Sequence, residues 1–474
     1  MIRGKIIVII GAGVLLISFL TFVLTSTKQP RLRELQGTSV VVLVDFSKSF
    51  AVMQSPDSRI FYGLQNDDQR ALKAVTGAVA EVASLYWKPP LKTVWTQIQT
   101  SSILMKPLCA PLETLQKLIK PEGSVGTREE IDSVLSKCVN SVIEASRDKR
   151  NLSDFTDISG AVAMASEIAP AGYNERVIII LSDFHEELPP GTREAVFRLN
   201  GEHVILLHRP GTDEPQNIEG YMTRIDEWKK KFLERGASTV VALPVFAVTE
   251  TRLRSALHPT NDNLGTGLTV LVDFKDNVSA AIGGNTGDKG ILVRIGQTLA
   301  ELARDWQPPV TTLWVAIGSS GFVSRTLPPV EFFPRLIKKP PGLNTVEEFE
   351  MAMDELAQAL PSLGRRTTST DISGSLALAC TVEPSPGSHI LIVISDFVDS
   401  EPWSATTHFR LSPKTRVIMV HIASQDDRLD PNRYPARRQM WERRFKEAGA
   451  VEVYQFPLLS FTQNDLRSCL EDGN

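Results

Sequence analysis

The chain has 474 residues, of which 42% are hydrophobic and 22% charged, with a formal net charge of −4. This length predicts two or three folded domains, and the composition excludes a disordered chain. The slightly acidic balance excludes the concentrated basic surface that nucleic-acid binding calls for, so no nucleic-acid partner is expected.

The chain opens with an apolar run. Residues 6–24, IIVIIGAGVLLISFLTFVL, carry no charge. As a helix they span roughly 28 Å, close to the ~30 Å hydrocarbon thickness of a bilayer. The run is longer than the apolar part of a secretory signal, and VLTSTKQP offers a poor cleavage site. An uncleaved single-pass transmembrane helix is therefore predicted, followed by a juxtamembrane linker over 25–37. Arg3 and Lys5 precede the span while Lys28, Arg31 and Arg33 follow it, so flanking charge does not set the orientation. A short N-terminal stub before a large body is most simply left in the cytoplasm, which puts the body on the extracytoplasmic side.

Beyond the linker the sequence repeats itself. LYWKPPLKTVWTQI (85–98) returns as RDWQPPVTTLWVAI (304–317), aligning Trp87 with Trp306 and Trp95 with Trp314. TDISGAVAMA (156–165) returns as TDISGSLALA (370–379), and VIIILSDF (177–184) as ILIVISDF (390–397). VVLVDF (41–46) matches TVLVDF (269–274), and EWKKKFLERGA (227–237) matches MWERRFKEAGA (440–450). Order is kept throughout, as tandem copies of one unit require. The expected domains are 38–257 and 267–470, joined by a polar linker over 258–266.

Within the first copy, runs of strand length fall at 39–44, 92–98, 176–181 and 203–208. Helical patterns separate them. Ile158, Val162, Ala165 and Ile168 recur at helical spacing, and Gly236 suits the end of the helix in YMTRIDEWKKKFLERGA. Strands that are apolar throughout and alternate with helices imply an α/β fold with a mostly parallel sheet covered on both faces. The basic runs 229–231 and 437–446 are expected to be solvated helix faces. Cys109, Cys138, Cys380 and Cys469 show no CxxC spacing, so neither a zinc site nor a disulfide framework is expected, and buried free thiols are the plain reading.

The stretch VVLVDFSKSF (41–50) ends a buried strand on Asp45, Ser47 and Ser49, three oxygen-bearing side chains at alternate positions. In parallel sheets ligands bind beyond the carboxyl ends of the strands, and there the sequence adds Asp183, closing a later strand, and Thr156, leading into a helix. Two carboxylates and three hydroxyls are hard oxygen donors that suit a magnesium-like ion. Neutral hydroxyl ligands leave such an ion under-neutralised, so it attracts a carboxylate from outside. Taken singly, Asp45 suits a turn, and Thr156 or Asp157 suits a helix cap; capping suffices for Asp157.

D-x-S-x-S after the first strand, a Thr before a helix, and an Asp ending a later strand together resemble the von Willebrand factor type A (VWA) domain. The resemblance implies two tandem Rossmann-like VWA domains, each with a central parallel sheet. It implies a metal-ion-dependent adhesion site at Asp45, Ser47, Ser49, Thr156 and Asp183. There Ser47 and Ser49 would ligate Mg2+ (or Mn2+ or Ca2+) directly, and Thr156 and the aspartates would ligate directly or through water. The open position would take an Asp or Glu of a partner protein. The separation of 107 positions from Ser49 to Thr156 (156 − 49) is long for this family, and insertions around 99–127 are expected to shape the binding face.

The second copy departs from the pattern. Asp273, Thr370 and Asp396 are kept, but Lys275 and Asn277 stand where Ser47 and Ser49 stand in the first. A degenerate site without metal is expected, with Lys275 paired to Asp273 or Asp396 in place of the cation. The function expected is thus a membrane-anchored, metal-dependent binding protein with no small-molecule substrate. A metal-independent scaffold of a membrane complex is the alternative. A Mg2+-dependent phosphatase or phosphotransferase also places an aspartate after the first strand, but needs a second carboxylate where Ser47 stands. No phosphate-binding glycine loop or nucleophile elbow occurs, so the chain is not expected to be an enzyme. His185, beside the site, reads as a surface residue.

Overall fold

The computed structural model describes residues 35–471 except 55–59, 88–90, 101–106, 110–124, 169–172, 212–217, 259–264, 276–277, 279–281, 283–289, 307, 319–324, 334–342, 364–369, 381–386, 400–407, 425–426, 428–429 and 431. The apolar run 6–24 lies outside the described residues. Among the described residues no helix is long and apolar enough to cross a membrane.

Two parallel-dominated sheets and eleven α-helices make up a mixed α/β fold among the described residues. The first sheet has the order β4-β1-β5-β6-β7. Its strands are β1 (Leu35–Asp45), β4 (Leu91–Ile98), β5 (Tyr173–Ser182), β6 (His203–His208) and β7 (Thr239–Pro244), all paired in parallel. A small antiparallel pair, β2 (Val52–Gln54) and β3 (Ile60–Tyr62), stands apart from it.

The second sheet repeats this order as β9-β8-β12-β13-β14. Here β8 is Thr266–Asp273, β9 Val310–Ile317, β12 Ser388–Ser395, β13 Thr415–His421 and β14 Glu452–Pro457. Two short strands, β10 (Arg325–Thr326) and β11 (Val330–Phe332), pair antiparallel with β9. They are an addition that the alternation of apolar runs does not announce. The register is also repeated. Trp95 stands opposite Val42 and Trp314 opposite Val270, and both indoles are buried.

The strands are apolar because both faces are covered. Val40, Val42 and Val44 face one layer of core, with the Asn66–Leu85 and Val125–Arg147 helices; Val41 and Leu43 face the other, with the Ile158–Ile168 and Ile218–Glu234 helices. The two halves also share apolar packing. Phe246 and Ala247, which follow β7, lie in the same buried cluster as Leu271, Leu313 and Trp441 of the second half. Thr251 Oγ1 donates to Glu331 Oε2 at 2.9 Å across the same boundary.

Two expectations are corrected. Cys109 and Cys138 form a disulfide with Cα atoms 5.4 Å apart, while Cys380 and Cys469 are free thiols. The bond joins the segment after β4 to the Val125–Arg147 helix, which folding brings together although no spacing motif marks it. The basic runs are only partly solvated. Lys231 lies 3.9 Å over the Trp228 ring, and Arg437 and Arg444 pair with Asp427 and Asp399. Most of the stretch 99–127 lies outside the described residues.

The end of the Ile218–Glu234 helix shows why a glycine is needed. Gly236 has φ +103°, and a Cβ there would sit 2.4 Å from the Leu199 carbonyl oxygen. Gly236→Ala therefore combines backbone strain with a backbone clash. It is expected to destabilise the fold by about 2 kcal/mol, read as a lower urea midpoint.

Candidate metal centre

In a sheet of this order the crevice opens beside the first strand, where the chain reverses its direction of travel across the sheet. β1 and β5 are neighbours there, with Val44 opposite Leu181. Asp45 ends β1 and Asp183 follows β5 directly, so the two carboxylates meet at the switch point. Both residues are fully buried.

Asp45 is held from two sides. Its Oδ1 accepts from the Ser47 amide at 2.7 Å and its Oδ2 from the Ser182 hydroxyl at 2.6 Å. Ser182 Oγ in turn accepts from the Phe184 amide at 2.9 Å. Asp183 Oδ1 accepts from the His185 amide at 2.9 Å. Its Oδ2 is buried and accepts no hydrogen bond. A buried carboxylate oxygen with no donor is costly unless some positive group completes it.

Ser47 Oγ and Ser49 Oγ lie 3.0 Å apart, so the two hydroxyls face one spot. Ser47 starts the short Lys48–Ala51 helix without capping it through its side chain; its hydroxyl instead bonds the Ser49 hydroxyl and helps hold Asp45. Thr156 is drawn to the same edge by a backbone bridge. Its amide donates to the Glu187 carbonyl at 2.8 Å, and the Glu187 amide donates back at 3.1 Å. All five expected residues thus belong to one rim: three at the end of β1, Asp183 after β5, and Thr156 tied to the segment after β5. Asp157 acts as a cap, accepting from the Gly160 amide at 2.8 Å. His185 is exposed and touches the site only through its backbone.

Several residues that hold the rim were not singled out from the sequence. Ser182 is one, and its recurrence as Ser395 in the second SDF was the available signal. Phe184 has φ 60°, uncommon for a side chain of this size, and its carbonyl accepts from the Trp228 indole at 3.0 Å. Arg224 donates to the Asp183 carbonyl at 3.2 Å. Glu186 accepts from the Ser159 amide at 2.6 Å and its hydroxyl at 3.1 Å, with Lys231 beside it. Buried Arg209, bonded to Asp68 at 3.0 Å, is near enough to favour the ionised Asp183.

Electrostatics single out the carboxylate pair. Burial, and then the charge of Asp183, push the Asp45 carboxyl up to about 7, against the pull of Ser182 and Ser47. Burial likewise raises Asp183, opposed first by the His185 amide and then by Ser49. Two buried acids side by side cannot both ionise cheaply. A divalent ion would relieve them, and the hydroxyls beside them are suitable hard donors. Among the described residues no three His, Cys, Asp or Glu side chains cluster as metal ligands; this donor set relies on serine and threonine.

The second half reproduces the rim's hydrogen bonds, with Lys275 where Ser47 stands. Asp273 accepts from the Lys275 amide at 3.0 Å and from Ser395 Oγ at 2.9 Å. Lys275 Nζ lies 3.6 Å from Asp396 Oδ1 and donates to the Val398 carbonyl at 2.7 Å. Of the two expected partners, the ammonium therefore reaches Asp396.

No protein-family model matches the chain, and no curated protein matches it. Among solved structures, proximal thread matrix protein 1 from the mussel byssus aligns over 92% of this chain and 94% of that one. The alignment is at 11% identity with a TM-score of 0.24. The α/β architecture with parallel sheets is compatible with VWA-like domains.

The raised Asp45 carboxyl predicts how stability varies with pH when divalent ions are absent. Below about pH 4 the group is protonated in folded and unfolded chains alike and costs nothing. Above that the unfolded chain releases the proton while the folded one keeps it, so stability falls until the pH passes about 7. Melting temperatures in EDTA should decline from pH 4.5 to 7.5, and Asp45→Asn should flatten part of that decline. An unchanged slope in the variant would contradict the assignment.

Proposed function

We propose that the chain is a membrane-anchored binding protein of the VWA type. Its first half, residues 38–257, holds a divalent cation at Asp45, Ser47, Ser49, Thr156 and Asp183. The observation that supports this best is the buried, donor-less Oδ2 of Asp183 beside a second buried carboxylate, within reach of paired serine hydroxyls. Mg2+ is the natural ion for such oxygen donors, with Mn2+ or Ca2+ as substitutes. The ion supplies concentrated positive charge at the sheet rim. The serines, Thr156 and the two aspartates hold and orient it, while the surrounding loops select a partner protein that offers an Asp or Glu side chain.

Anchoring rests on the apolar run 6–24, and the second half, residues 267–470, serves as a docking or bracing module. The Cys109–Cys138 bond supports placing the body outside the cytoplasm, since disulfides persist in oxidising compartments. The proposed role is capture rather than catalysis.

An ion that binds only the folded state stabilises it. At 100 times its dissociation constant the gain is about 2.7 kcal/mol. Mg2+ or Mn2+ should therefore raise the melting temperature, and more at pH 8 than at pH 5, because the ion competes with the proton on Asp45. Ser47→Ala combined with Ser49→Ala should abolish that rise and the cation-dependent capture of a partner, leaving the ion-free melting temperature within a few degrees. Capture that survives both substitutions and chelation would refute the reading.

A further inference from the structure

The two rims are built from the same hydrogen bonds. Ser182 and Ser395 each accept from the amide two residues on, at 2.9 Å in both cases. Asp183 and Asp396 each accept from the amide two residues on, again at 2.9 Å. Trp228 and Trp441 donate to the carbonyls of Phe184 and Phe397, the two non-glycine residues with positive φ among those described. Even the outer clamp recurs: Ser373 is bound by Asp399, and Arg444 stands beside it, as Ser159, Glu186 and Lys231 stand together in the first half. Against this shared frame one substitution is decisive, Lys275 for Ser47.

From the frame we infer that the second rim carries its cation within the chain, the Lys275 ammonium neutralising the Asp273–Asp396 pair permanently where the first rim takes a divalent ion reversibly. The ammonium is well seated for this. Its side chain is 12% exposed, it bonds the Val398 carbonyl at 2.7 Å, and Asp396 Oδ1 lies 3.6 Å away. Thr370, the counterpart of Thr156, also turns its hydroxyl to the Val398 carbonyl, at 3.1 Å. Among the described residues, the charged groups facing this point include Asp273 from β8, Asp396 after β12, and Arg437 from the Arg433–Glu447 helix. Arg437 is committed elsewhere, donating to the Asp396 carbonyl at 2.9 Å and pairing with Asp427. Lys275 thus acts on both carboxylates, 3.6 Å from Asp396 and opposing the rise of Asp273. Burial and then Asp396 raise the Asp273 carboxyl to about 6, with Lys275 opposing them. The consequence is a division of labour: the second rim keeps one state whatever the ion supply, and the response of the chain to divalent ions belongs to the first rim.

The test needs no metal and so stands apart from the proposal for the first rim. Lys275→Met, Lys275→Met with Asp396→Asn, and the unaltered protein are melted in EDTA at pH 8 and pH 5. Comparison with the unaltered protein at each pH cancels the titration of Asp45 and Asp183. K275M should lower the melting temperature by about 4 °C or more at pH 8 and by less than half as much at pH 5, where the Asp273 carboxyl holds its proton and the pair carries less negative charge. D396N keeps the acceptor for the Val398 amide and removes the stranded charge, so adding it to K275M should recover at least half of the loss at pH 8. A K275M protein that folds at pH 5 but not at pH 8 supports the inference equally. A loss equal at both pH values, a loss deepened by D396N, or failure to fold under every condition would overturn the inference.

Discussion

The first rim depends on one constraint: two carboxylates, Asp45 and Asp183, are buried side by side at the switch point of a parallel sheet. Burial there is imposed by the fold, because the strands they terminate are covered on both faces and end in the crevice. Like charges in so dry a place repel, and the protein provides only partial relief through hydroxyls and amides. Hydrogen bonds from Ser47, Ser182 and His185 satisfy three of the four carboxylate oxygens. The fourth, Asp183 Oδ2, has no hydrogen-bond donor among the described residues.

Much of the surrounding structure keeps that pair in place. The Phe184 backbone is held in a sparsely populated conformation by the Trp228 indole, which fixes the turn after β5. The Thr156–Glu187 bridge binds the loop before the Ile158–Ile168 helix to the same turn. Glu186 closes the amino end of that helix through Ser159. These contacts are short, local and largely buried, so the chain's own hydrogen bonds fix the rim.

The sequence was informative where periodicity and repetition speak. β6 has the expected bounds, β4 begins one residue earlier than expected, and β1 and β5 extend past their expected ends. Trp95 and Trp314, aligned by the repeat alone, stand at equivalent register positions in the two sheets. The residues of the candidate site were legible because oxygen donors at the ends of buried strands are conspicuous against an apolar background. Less legible were contacts that depend on three-dimensional proximity. Cys109 and Cys138 meet only because the Val125–Arg147 helix crosses the segment after β4. Lys231 and Arg444 look like ordinary surface bases until the loop acids Glu186 and Asp399 are brought beneath them. β10 and β11 are too short to show a period.

Comparison of the halves shows one hydrogen-bond frame built twice. Where the first rim has a hydroxyl at position 47, the second has the Lys275 ammonium 3.6 Å from Asp396; in the reading proposed above, an outside ion answers the first pair of carboxylates and the chain itself answers the second. The most direct measurement is an anomalous difference map from crystals grown with Mn2+. One strong peak is predicted among Asp45, Ser47, Ser49, Thr156 and Asp183, and none beside Lys275. Crystals soaked in saturating Mn2+ that show no peak at the first rim would contradict a divalent-ion site there.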